Sequence, residues 1–77
     1  MVNIVLPELG EGIVKATVVC WHKKPGETVR ADDDICEVVT DKASFNVQAP
    51  VSGVLESIAV AQGKEGLIGG ILGSIRV

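Results

Sequence analysis

Aromatic residues are almost missing from this chain: Trp21 and Phe45 are the only two, and there is no tyrosine. A core must then be filled by Val, Ile, Leu and Ala, a composition that favours a thin, strand-rich interior. Histidine occurs once, as His22, and the two cysteines, Cys20 and Cys36, lie 16 residues apart. That set fits neither a disulfide-dense secreted scaffold nor the ligand spacing of a zinc site, so reduced thiols and no metal are expected. Clustered Lys and Arg are lacking too, and the formal charge is −3, which argues against a nucleic-acid partner. The acidic run Asp32, Asp33 and Asp34 reads as a solvated turn. No apolar stretch approaches membrane-spanning length, and the opening MVNIVLPELG lacks a basic start followed by an apolar run, so the expectation is a soluble protein with no membrane contact. At 77 residues the chain is read as one domain, 1–77. A domain of this size buries only about 60% of its unfolded surface, which leaves no room for an enclosed catalytic cleft.

What is present is a duplication. Gly26-x-x-Val29-x-Ala31-x-x-x-Ile35-x-x-Val38 returns as Gly63-x-x-Gly66-x-Ile68-x-x-x-Leu72-x-x-Ile75, each member displaced by 37 positions. The same shift carries Val18 to Leu55 and Trp21 to Ile58; Gly66 opposite Val29 is the weak match. Turn residues break each half into short β-type segments, Pro25-Gly26 in the first and Gln62-Gly63 with Gly69-Gly70 in the second, and no segment has helical periodicity. A repeat too short to bury its own apolar face can bury it against its copy. The fold class is therefore all-β: two antiparallel sheets related by an approximate two-fold axis. Val18 to Trp21 and Leu55 to Ile58 break the period of two at equivalent places, which predicts a bulge in each copy.

The segment ICEVVTDKASFNVQA, Ile35 to Ala49, carries the functional signal. Ala43, Phe45, Val47 and Ala49 alternate with Ser44, Asn46 and Gln48, the mark of a half-buried strand. If Asp41-Lys42 is a two-residue hairpin loop, Val38 faces Phe45, Cys36 faces Val47 and Thr40 faces Ala43, and the apolar residues of both arms share one face. That pairing puts Lys42 at the tip. Tight two-residue loops favour positive φ at both central positions, which a lysine adopts only at a cost on the order of 1 kcal/mol, so strain at Lys42 is expected. A lysine at a hairpin tip suits covalent attachment: a long stem, full exposure and a rigid base. Its amine is protonated at neutral pH, with a reference pKa near 10.4, so attachment needs an activated acyl donor and an enzyme to deliver it.

LPELGEGI at Leu6 to Ile13, the Gly-x-x-Val at Gly26, TDKA at Thr40 to Ala43 and APVSGVL at Ala49 to Leu55 together resemble the lipoyl domains of dihydrolipoamide acyltransferases. The resemblance spans essentially the whole chain. It implies a flattened eight-stranded barrel, or sandwich, of two four-stranded antiparallel sheets. It also implies lipoic acid in amide linkage to Lys42, a swinging arm carrying acyl groups and electrons within a 2-oxo acid dehydrogenase complex. The partners implied are a lipoate-protein ligase or lipoyl transferase, a 2-oxo acid decarboxylase, the acyltransferase core and dihydrolipoamide dehydrogenase. The domain itself would be a monomeric, non-catalytic carrier, in the cytoplasm of a bacterium or the mitochondrial matrix of a eukaryote. Asp41 and Ala43 would be read by the lipoylating enzyme, and Gly10, Glu11 and Gly12, in the loop between the first two strands, are candidates for partner recognition, although Gly-Glu-Gly is equally at home in a plain turn. Gly53 matches a family glycine and is expected to permit a tight turn before Val54 and Leu55. The glycine-rich end, Gly66, Gly69, Gly70 and Gly73, is expected to form a looser C-terminal loop.

Other readings remain open on the residues alone. A biotin carboxyl-carrier domain or a glycine-cleavage carrier would share the lysine hairpin, but the first family sets methionines on both sides of its lysine and the second is a longer chain. An enzyme would need a nucleophile and base in a cleft. His22 and Cys20 lie on one strand, where His22 reads as an exposed residue, and Cys36 is directed inward by the pairing. An unmodified interaction module is the third alternative.

Overall fold

The computed structural model describes all residues, 1–77, and contains strands and turns only. The strands are β1 (Val2–Val5), β2 (Lys15–Trp21), β3 (Thr28–Val29), β4 (Asp34–Val39), β5 (Ser44–Gln48), β6 (Gly53–Ile58), β7 (Glu65–Leu67) and β8 (Ile71–Arg76). They form two four-stranded sheets, β1-β8-β6-β3 and β5-β4-β2-β7, with every pair antiparallel. No ladder joins one sheet to the other, so the architecture is a flattened sandwich rather than a closed barrel. No helix is long and apolar enough to cross a membrane.

The duplication seen in the sequence is the symmetry of the fold. Replacing each of β1 to β4 by the strand four places later turns one sheet order into the other. Individual backbone hydrogen bonds repeat as well. The Gly26 N–H donates to the Leu55 carbonyl, and the Gly63 N–H donates to the Val18 carbonyl; His22 N–H to Ile35 is matched by Ala59 N–H to Leu72. Positive φ recurs at the same places, in Gly26 and Gly63 and in Asp32 and Gly69. The acidic run therefore does more than solvate a turn. Asp32 takes up a left-handed conformation at φ 72°, which short polar side chains tolerate, and the Asp33 carboxylate accepts the Arg30 N–H at 3.0 Å.

The core is aliphatic, as the near-absence of aromatics requires. Ile4, Leu6, Val18, Ile35, Leu55, Leu72 and Ile75 are fully buried, with Trp21 and Phe45 packed at its margin. The register slips between Val18 and Cys20 in β2 and between Leu55 and Ser57 in β6, which are the two expected bulges. Each turns the next apolar residue, Trp21 or Ile58, back towards the interior. The indole N–H of Trp21 donates to the Val60 carbonyl at 2.8 Å and so ties β2 to the opposite half.

Two glycine expectations are corrected. Gly53 is not a turn residue: it opens β6 opposite Val29, and a Cβ there would lie 2.5 Å from the Arg76 carbonyl oxygen and 2.7 Å from Ile75 Cγ2. The need is close approach to β8. The C-terminal glycines likewise do not make a loose loop. Gly66 and Gly73 are buried within strands; a Cβ on Gly66 would meet Leu72 Cδ2 at 3.0 Å, and one on Gly73 would meet the Ser57 carbonyl oxygen at 2.5 Å. Gly66 stands where the first half has Val29 because Leu72 fills that side-chain space.

Candidate functional site

Of all the strand pairs, only β4 and β5 are consecutive in sequence, so the fold has a single hairpin. Its register is the expected one: Val38 opposite Phe45, Cys36 opposite Val47 and Glu37 opposite Asn46. Apolar burial fixes this alignment, because a slip by one residue would turn Val47 outward while Cys36 and Val38 stay on the core face. The connection runs through Thr40, Asp41, Lys42 and Ala43, and the last three are exposed. Lys42 makes no ion pair; the two in the chain are Lys15–Glu65 and Arg76–Glu56.

The expected strain at Lys42 is not there. Asp32 is the only non-glycine residue with positive φ, so neither Asp41 nor Lys42 adopts the left-handed conformation. Thr40 removes the need. Its N–H donates to the Ala43 carbonyl at 2.8 Å, and its hydroxyl donates to the same carbonyl at 3.1 Å while accepting the N–H groups of Lys42 at 3.2 Å and Ala43 at 3.1 Å. One side chain thus replaces the backbone pairing that a primed turn would have supplied, using its one donor and both acceptor positions. Thr40 is a site residue that the apolar pattern of the sequence does not reveal. The signal was a hydroxyl residue two places before the tip, where Ser and Thr build local turns. Thr40→Val is expected to lower stability by about 1 kcal/mol and to slow enzymatic modification of Lys42 several-fold, with Thr40→Ser restoring both; urea titration and timed intact-mass measurements check this.

Beside the hairpin runs an open groove of about 520 Å³. Val39, Thr40 and Asp41 form one wall, and Gly12 to Thr17 with Glu65 form the rest. Of the three loop candidates, Gly12 shares this groove with Asp41; Gly10 and Glu11 do not line it. Positive φ at Gly10 (150°) and Gly12 (81°) gives both glycines a backbone reason for being there.

The thiols divide sharply. Cys36 is fully buried, and burial first, then the nearby Cys20 sulfur, pushes its thiol up to about 12. His22 is exposed and Cys20 only partly covered, with no cleft around them. Alkylation at neutral pH is expected to label Cys20 alone in the folded chain and both thiols in denaturant, as read by mass. Because Cys36 holds its proton more tightly when folded, its contribution to stability is complete below about pH 9 and declines as pH rises towards 12.

A family model described as "Biotin-requiring enzyme" matches residues 2–75. The chain is 49% identical over 63 residues to the dihydrolipoyllysine-residue succinyltransferase component of the 2-oxoglutarate dehydrogenase complex of Buchnera aphidicola, a match covering 82% of this chain and 15% of that protein. It is 40% identical over 74 residues to the dihydrolipoyllysine-residue acetyltransferase component of the pyruvate dehydrogenase complex of Mycobacterium tuberculosis, covering 96% and 13%. The chain thus spans less than a fifth of the length of either relative. Among solved structures, the lipoyl domain of the 2-oxoglutarate dehydrogenase complex from Azotobacter vinelandii superposes with a TM-score of 0.78 at 38% identity, covering all of this chain and 98% of that one.

Proposed function

Since the chain belongs to the family of biotin- and lipoyl-attachment domains, we propose that it is a lipoyl carrier domain whose Lys42 Nζ holds lipoic acid in amide linkage. The observation that carries this is the placement of Lys42 on the only hairpin of the fold, exposed and braced from below by Thr40. Lipoate bound in this way supplies a dithiolane that takes up an acyl group with two electrons and gives them up elsewhere. The protein's own part is to fix the base of the arm, keep the lysine stem in solvent and offer Asp41 and Ala43 on either side for the lipoylating enzyme to read.

The wider role we propose is within a 2-oxo acid dehydrogenase complex, where the arm would serve a decarboxylase, an acyltransferase core and dihydrolipoamide dehydrogenase. Identity of 49% and 40% to acyltransferase components of such complexes, together with a lipoyl-domain neighbour of almost equal length, supports this over the biotin reading. The groove between Gly12 and Asp41 offers a partner enzyme a surface next to the arm. The test is incubation of the unmodified chain with lipoate, ATP and a lipoate-protein ligase, and in parallel with biotin, ATP and a biotin-protein ligase. A mass gain of one lipoyl group and none of biotin is expected; gain of biotin alone would replace this reading by the other.

A further inference from the structure

The bulge at Val19 decides what stands on the outer face of the second sheet. Val18 pairs with Val38 and Cys20 with its neighbour Glu37, so Val19 is the residue in excess. Without the bulge Cys20 would point inward as Val18 does. With it, Trp21 turns to the core, and Cys20 faces outward beside Glu37, whose flanking residues Cys36 and Val38 are buried. His22, two residues on, returns to the side of Cys20 and is held by its N–H donating to the Ile35 carbonyl at 2.8 Å. As a result Cys20 Sγ, a ring nitrogen of His22 and a carboxylate oxygen of Glu37 all lie within 4.8 Å of one another.

The other half of the molecule is an internal reference. The 37-residue shift carries Cys20 to Ser57, Glu37 to Ser74 and His22 to Ala59. There, across the equivalent bulge, the two serine hydroxyls satisfy each other with a hydrogen bond of 2.9 Å. In the first half no such closure exists: no side-chain hydrogen bond and no ion pair engages Cys20, His22 or Glu37. The neutral pair has become a thiol and a carboxylate, and an imidazole has been added next to them.

We propose that Cys20, His22 and Glu37 form a binding site for a single borderline-soft divalent cation, zinc foremost. Sulfur, nitrogen and oxygen ligands bind zinc tetrahedrally at about 2.3, 2.0 and 2.1 Å, which puts ligand atoms about 3.3–3.6 Å apart. The three side chains must draw together by about 1 Å, well within the rotamer freedom of partly exposed groups. Three protein ligands leave the fourth position to water. A thiolate and an imidazole select zinc, cobalt(II) or copper over magnesium and calcium, which require oxygen ligands. This assignment uses no residue of the β4–β5 turn and stands or falls apart from the lipoyl reading.

The probe is cobalt(II), titrated into the reduced, unlipoylated 77-residue chain so that no dithiol from an attached arm competes. One cobalt per chain is expected, with a thiolate-to-cobalt charge-transfer band and the intense visible bands of a tetrahedral centre, both abolished by zinc. Zinc should also slow alkylation of Cys20 at least about tenfold. Cys20→Ser should remove the charge-transfer band. His22→Ala and Glu37→Gln should each weaken binding at least as much as loss of an outer-sphere partner does, about 10- to 100-fold. All three positions lie on the outer face, so far-UV circular dichroism of the variants should match the native chain. The proposal is overturned by absence of the band, by a band that survives both His22→Ala and Glu37→Gln, which would mark a lone thiol, or by one cobalt shared between two chains.

Discussion

Gly53→Ala is expected to lower the melting temperature by roughly 4–24 °C. The reason is space and not conformation, since Gly53 has no positive φ. The added carbon would sit 2.5 Å from the Arg76 carbonyl oxygen and 2.7 Å from Ile75 Cγ2. Ile75 is fully buried, and β8 is held on both sides by β1 and β6, so neither obstacle can retreat without disturbing two ladders. Overpacking of this kind costs about 1–3 kcal/mol, and in a domain of this size each kcal/mol shifts the midpoint by roughly 4–8 °C. Gly63 is the contrast. A Cβ there meets nothing within 4 Å, and its φ of 86° makes Gly63→Ala a matter of backbone strain alone, about 1 kcal/mol. Thermal melts of the two variants should therefore differ clearly. Equal midpoints would show that β8 yields more readily than its double pairing suggests.

Lys42→Arg is expected to abolish lipoylation completely while leaving the melting temperature unchanged within about 0.5 kcal/mol of stability. The guanidinium preserves the positive charge and most of the stem, but it stays protonated and offers no amine for amide formation. Nothing structural is lost, because Lys42 is exposed, unpaired and free of backbone strain. Four other lysines remain, Lys15, Lys23, Lys24 and Lys64, and all lie outside the hairpin. Intact mass after treatment with ligase, lipoate and ATP gives the answer. A lipoyl group on any of these four would mean that the enzyme reads something other than the braced tip, and the assignment of Lys42 would fall.

The fold was largely legible in the sequence because its two strongest constraints are written locally. The 37-residue repeat and the three-residue spacings at Val18–Trp21 and Leu55–Ile58 gave the symmetry and both bulges, since each depends on which residues are apolar. The hairpin register could be worked out for the same reason: only one alignment buries Cys36, Val38 and Val47 together. What could not be read was set by contacts between distant parts of the chain or by a single side-chain hydrogen bond. Gly53 resembled a turn glycine, but its requirement comes from Arg76, 23 residues later. The tip looked strained until the Thr40 hydroxyl supplied a bond that no pattern of apolar residues encodes. Glu37 could not be set beside Cys20 and His22, because the cross-strand partner of Cys20 depends on where the bulge falls.

The strand order has a consequence for how the chain reaches this state. Each sheet draws two strands from each half, and every strand pair except β4–β5 joins segments well separated along the chain. Neither half can therefore serve as a preformed seed for the other, despite their shared origin in one pattern. A peptide ending after Thr40 would hold only β1 and β3 of one sheet and β4-β2 of the other and should remain a coil, as should its complement from Asp41 onward, yet the two mixed together should regain β structure at a rate that depends on their concentrations. In the intact chain the same interleaving trades local closure for distant pairing, so folding should be single-exponential and slow for so short a polypeptide, in the millisecond to second range typical of β sandwiches.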